Sequence, residues 1–174
     1  MFMLKAGVFT VVFTFIGQIA LADPIYEPLG KKNSELNTDA EWNLTIFTDG
    51  KNLPEGAGNV SQGAELFANQ CSACHGPKGI GGSAMALVGD VGSLTSDYPE
   101  KTVNSFWPYA TTLFDYIRRT MPPQAPFSLS PDEVYALSAF ILSQDQLIPE
   151  DGELSHRNIL QIQMPNQQGF YVEP

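Results

Sequence analysis

Two thiols and an imidazole stand close together in Cys71-Ser72-Ala73-Cys74-His75. Thiols three residues apart lie about one helical turn from each other, so both can reach the vinyl groups on one edge of a porphyrin. The next residue is rotated around the turn, which aims a ring nitrogen of His75 at the iron. The spacing therefore predicts one covalently bound haem c, with thioethers from Cys71 and Cys74 and with His75 as proximal ligand. The competing chemistries are a redox dithiol, half a zinc site and a structural disulfide. A zinc site wants a second pair of ligands, yet the chain has only one other histidine, His156, and no further cysteine. A thioredoxin-like dithiol wants a strand–helix setting that this stretch lacks.

A sixth ligand must come from elsewhere. Met121 follows an apolar-periodic segment and precedes Pro122-Pro123, so its thioether can project from extended chain towards the open side of the iron. A thioether stabilises reduced iron relative to a nitrogen ligand and raises the potential. Met85, Met164 and His156 are the competitors for the position. Met85 sits close to the attachment site, and Met164 lies in a tail that could fold back. No catalytic nucleophile, carboxylate pair or phosphate loop is evident, so any enzymatic activity is expected to belong to a complex.

Three helices must position these groups. Ser61 is the expected N-cap of a helix through Gln70, with Ala64, Leu66 and Phe67 on its apolar side. Pro108 and Tyr109 open a second that runs to about Thr120, with Leu113, Ile117 and Met121 four residues apart. The third starts at Ser130-Pro131-Asp132-Glu133, which combines an N-cap serine, a first-turn proline and a capping-box glutamate. Its buried stripe is Val134, Leu137, Phe140 and Ile141. Residues 76–104 are glycine-rich and irregular, too long a loop for an ordinary domain unless a cofactor supplies the missing core. Residues 23–59 and 144–174 read as irregular arms, with a possible short strand around Trp42, Leu44, Ile46 and Phe47. Trp42, Ile46, Phe47, Ile159, Ile162, Phe170 and Tyr171 are scattered anchors, a composition suited to wrapping a partner, with folding back of both arms over the cofactor domain as the alternative.

Residues 1–22 read as a secretory leader. Lys5 is the only charge before Asp23, residues 6–22 are almost wholly apolar or small, and Ala20-Leu21-Ala22 supplies the small residues of a cleavage site after Ala22. An uncleaved anchor is the alternative. Export to the periplasm is expected, with no membrane span in the mature chain of 152 residues. The full chain carries 9 basic and 19 acidic residues, and losing Lys5 takes the net charge from −10 to near −11. Such a surface repels nucleic acid and anionic lipid and suits a partner with a basic docking face.

Gly63, Phe67 and Cys71 stand four apart, and Leu137 and Phe140 share a face of the last helix. With the Cys-x-x-Cys-His stretch, this resembles class I cytochromes c over residues 60–143. In that family an N-terminal and a C-terminal helix cross at such a glycine, where aromatics pack. The resemblance implies an all-α class I cytochrome c fold, with three main helices around one haem and Met121 as distal ligand. The family often has proline two residues before the leucine of a Pro-x-Leu-x-Gly stretch, which helps set the hydrogen bond to the proximal histidine. Here the stretch is Met85-Ala86-Leu87-Val88-Gly89, so the partner of the second nitrogen of His75 is left open.

A narrower similarity covers about residues 40–170. The run from Lys101 through Trp107-Pro108-Tyr109-Ala110-Thr111-Thr112 to Met121-Pro122, together with Ser130-Pro131-Asp132-Glu133 and Met164-Pro165-Asn166, resembles the cytochrome subunit of sulfur dehydrogenase in Sox thiosulfate oxidation. That resemblance implies a periplasmic subunit accepting electrons from a molybdenum-binding dehydrogenase subunit and passing them to a downstream acceptor protein. A sulfite dehydrogenase subunit and a free periplasmic shuttle are the alternatives. Trp107, Tyr109, Arg118 and Arg119 are the candidates for neutralising a haem propionate.

Overall fold

The computed structural model describes residues 44–170. The expected leader and cleavage site after Ala22, most of the expected N-terminal arm including Trp42, and Tyr171 lie outside the described residues.

Asn59 opens the first helix, α1 (Val60–Gln70). Its side chain accepts from the backbone N–H of Gln62, and the Gln62 side chain accepts in return from Asn59 N–H. This reciprocal pair satisfies two of the N–H groups that a helix start leaves unpaired. The expected cap, Ser61, is instead an exposed residue inside the first turn. After the C-cap Cys71 the chain makes one further turn, α2 (Ser72–His75), and a short α3 (Val103–Phe106) follows the glycine-rich loop. The long α4 (Ala110–Thr120) and α5 (Pro131–Gln144) are the second and third helices expected from the sequence. Ser130 and Glu133 form the capping box of α5, with Pro131 in its first turn.

To the three main helices read from the sequence the structure adds two short ones, and the flanking segments are not irregular throughout. The described chain has five α-helices and a small antiparallel sheet in which β1 (Ala57–Asn59) pairs with β2 (Glu153–Ser155), Gly58 opposite Leu154. No strand forms at residues 44–47. The C-terminal segment turns back rather than extending: Ile148, Leu154, Ile159 and Met164 are buried in the main core. On the N-terminal side Ile46 is buried, and its N–H donates to Asp115 Oδ1 of α4 at 3.1 Å. Of the anchors expected from the sequence, Ile46 and Ile159 are spent on the chain's own core and Ile162 packs against it. Phe47 and Phe170 remain exposed, although Phe170 packs edge-on against Phe106.

The core is built where α1 crosses α5. A Cβ on Gly63 would meet the carbonyl carbon of Ala136 at 2.6 Å and the Phe140 Cβ at 2.7 Å, so only glycine allows this approach. Phe67 and Phe140 pack beside the crossing with ring centroids 5.0 Å apart. On the other side of α5, Phe114 of α4 lies 4.4 Å from the ring of Tyr135, whose hydroxyl donates to the Pro54 carbonyl at 2.9 Å. α1, α4 and α5 are thereby fixed as one frame, and the Cys-x-x-Cys-His turn leaves directly from the end of α1.

Candidate functional site

Between α1, α2, α4 and α5 lies a cavity of about 500 Å³. Phe67, Leu87, Val103, Leu113, Ile117, Leu137 and Ile141 supply its apolar walls, and Cys71, Cys74, His75 and Met121 all line it. Two separate parts of the chain thus bring the four sequence-predicted site residues to one space. Cys71 is the C-cap of α1 and donates its backbone N–H to the Phe67 carbonyl; the His75 N–H in turn donates to the Cys71 carbonyl at 3.0 Å. Met121 follows α4 directly with extended backbone (φ −119°, ψ 142°) and donates its N–H to the Ile117 carbonyl.

The competitors for the sixth position stand elsewhere. Met85 is 78% exposed and Met164 is buried in the core; neither lines the cavity. His156 is held by the backbone of Gly56, 100 residues away in sequence. Of the four residues considered for propionates, only Trp107 lines the cavity, where it meets Tyr116 edge-on at 5.5 Å. Arg119 is paired with Asp115.

The missing partner of His75 is a backbone group. The Met85 carbonyl lies 3.1 Å from His75 Nδ1, at the position where the family often carries proline. With the proton on Nδ1, this contact fixes the ring and leaves Nε2 as the free lone pair. The loop reaches back because its own backbone bonds fold it onto the turn: Gly81 N–H donates to His75 and Ala84 N–H to Cys74, at 2.8 and 2.9 Å. Gly76 enables the reversal with φ 72°, where a Cβ would also strike the Gly81 carbonyl.

The donor set fits a haem. The volume lies within the roughly 300–1,000 Å³ of small-molecule and cofactor sites, the walls are apolar, and an imidazole and a thioether reach the cavity from different elements. Cys71 and Cys74 are not joined to each other. Burial pushes the Cys71 thiol up, and the nearby Cys74 adds to the rise, opposite to the lowered value of a reactive dithiol. No group of three or more His, Cys, Asp and Glu able to hold a bare metal ion occurs among the described residues.

Sequence reasoning missed two buried polar residues that brace the site. Asp115 accepts from Ile46 and pairs with Arg119, tying the N-terminal segment to α4. Asn104 is fully buried, and its amide donates to the Ile141 carbonyl and to Asp145, both at 2.8 Å. It clamps α3 to the end of α5 beside cavity residues Val103 and Ile141. A single asparagine and a single aspartate carry no sequence signal for such distant partners.

The family model for cytochrome c matches residues 60–145. Among solved structures, a chain of the sulfane dehydrogenase SoxCD from Paracoccus pantotrophus superposes with a TM-score of 0.72 at 41% identity. The match covers 76% of this chain and 66% of that one. No curated protein matches the chain. Among the described residues no helix is long and apolar enough to cross a membrane.

Proposed function

Since residues 60–145 are a class I c-type cytochrome domain, we propose that this chain is a periplasmic mono-haem cytochrome and the electron-accepting subunit of a molybdenum-dependent sulfur dehydrogenase of the Sox type. The observation that carries the haem assignment is the convergence of Cys71, Cys74, His75 and Met121 on one apolar cavity. In this reading Cys71 and Cys74 would hold the porphyrin through thioethers, and His75 and Met121 would ligate its iron. Haem, when bound, supplies a one-electron iron couple. His75 is held in one orientation by the Met85 carbonyl, which also strengthens it as a donor. The Met121 thioether favours the reduced state. Phe67, Leu113, Ile117, Leu137 and Ile141 keep water from the site, and Trp107 is the residue suited to meet a propionate.

The likeness to a SoxCD chain supports the partnership with a molybdenum subunit. Residues 1–22 are proposed as the cleaved leader, 60–143 as the haem domain, and the flanking segments as arms. One observation favours the free shuttle as a second reading: Leu154, Ile159 and Met164 bury the C-terminal arm on the cytochrome itself, so the arm is not the partner-binding device. Co-purification from native periplasm separates the readings. A complex containing molybdenum and this cytochrome is expected; a cytochrome eluting alone at its monomer mass makes it a shuttle.

A further inference from the structure

One face of α4 borders the cavity, and another carries a buried charge. Leu113 and Ile117 line the cavity, as does Met121 at the helix end. Asp115 and Arg119 follow Leu113 and Ile117 by two residues, about 200° around the helix, and do not line it. Asp115 is a carboxylate only 6% exposed. Its Oδ1 accepts the Ile46 N–H at 3.1 Å, and its Oδ2 pairs with the Arg119 guanidinium one turn further on. A single carboxylate thus joins the buried Ile46 to the last turn of α4, two residues before Met121.

Ile46 stands outside residues 60–145 that match the cytochrome c family model. Its segment is held by bonds of its own: the Asn52 amide donates to the Thr45 carbonyl at 2.8 Å, and the Tyr135 hydroxyl of α5 to the Pro54 carbonyl at 2.9 Å. Helix ends fray because their last carbonyls lack intrahelical partners. A last-turn side chain tied through a buried carboxylate to this fixed segment opposes such fraying.

We propose that Asp115 is a positioning residue for Met121: by joining Ile46 to Arg119 it holds the last turn of α4 in place and keeps the Met121 thioether at the cavity. The inference rests on the reading of Met121 as a ligand and deepens it by naming what holds that ligand. The segment before the family domain thereby controls how readily the thioether leaves.

Stopped-flow entry of imidazole into the ferric, haem-loaded full chain tests this. At saturating imidazole the rate levels off at the rate at which Met121 leaves, read from loss of the long-wavelength thioether–ferric band. Asp115→Ala, which removes both bonds, should raise this plateau roughly 10-fold, the scale of one hydrogen bond to a charged group. Asp115→Asn and Arg119→Gln each keep an acceptor for the Ile46 N–H and should fall between it and the wild type. If Asp115→Ala does not fold, these two decide the matter alone. Asn59→Ala, which removes the cap of α1 far from α4 in sequence, should stay within about twofold of the wild type despite its loss of helix stability. Amide hydrogen exchange gives a second readout: the Ile46 and Met121 N–H groups should exchange faster in Asp115→Ala, and those of α1 should not. The wild-type band is recorded first, and its absence would refute the Met121 reading together with this proposal. A normal band with unchanged plateaus in the Asp115 and Arg119 variants would overturn this proposal alone, as would an equal rise in Asn59→Ala.

Discussion

Replacing Gly63 by alanine adds one methyl group at the place where α1 and α5 come closest. Built on the present backbone, that carbon would lie 2.6 Å from the Ala136 carbonyl carbon and 2.7 Å from the Phe140 Cβ. The first obstacle is helical backbone, which has no rotamer to change, so the helices must separate by several tenths of an ångström or more. Overpacking of this kind costs about 1–3 kcal/mol and occasionally more. Alanine returns up to about 1 kcal/mol of helix propensity, so the upper half of the overpacking range leaves a net loss of about 1–2 kcal/mol. Separation would also loosen the Phe67–Phe140 contact and widen the cavity at the Phe67 wall. Equilibrium denaturation of the haem-loaded protein in guanidinium chloride, followed by Soret absorption and far-UV circular dichroism, measures the loss. A variant as stable as the wild type, or more stable, would refute the close-approach reasoning, because propensity alone would then have decided the outcome.

Two other substitutions probe separate parts of the frame and site. Met121→Ala should abolish the long-wavelength thioether–ferric absorption band and lower the reduction potential by an amount on the order of 100 mV, given the wide span that axial ligation sets; an unchanged band would move the ligand role to another residue. Tyr135→Phe should cost about 1 kcal/mol through loss of the hydrogen bond to the Pro54 carbonyl, read from the shift of the denaturation midpoint. Burial pushes Tyr135 up to about 12, with Arg118 opposing the rise and Asp132 adding to it. The folded chain therefore keeps this proton after the unfolded chain has lost it. Wild-type stability should fall between about pH 10 and 12 more steeply than that of Tyr135→Phe; parallel pH profiles would contradict this.

The parts of the molecule legible in the sequence are those set by neighbours along the chain. Cys71, Cys74 and His75 announce themselves because one helical turn fixes their relation, and Ser130 with Glu133 because a capping box spans a single turn. Gly63 was readable only beside Phe67 and Cys71, as part of a helix-crossing pattern. The cap of α1 was misjudged because Ser61 and Asn59 both suit the role, and the choice fell to the return bond from Gln62. Pairing of Ala57–Asn59 with Glu153–Ser155 joins strands far apart in sequence, each too short to show an alternating pattern. The His75 contact eluded sequence reading for another reason: the acceptor is the Met85 carbonyl, a group that every residue possesses. Asp115 and Asn104 were hidden likewise, since their partners depend on how helices dock rather than on spacing.

The proposed covalent attachment of haem at Cys71 and Cys74 is the point from which the remaining proposed chemistry follows. Acid–acetone extraction of denatured wild-type protein, with intact mass and a pyridine haemochrome spectrum on the pellet, tests it most directly. The expected result is one haem retained per chain, and a chain that loses all its haem to the solvent when Cys71 and Cys74 are both replaced by alanine. Haem released from the wild type by the same extraction, or retained in the double variant, would contradict the assignment.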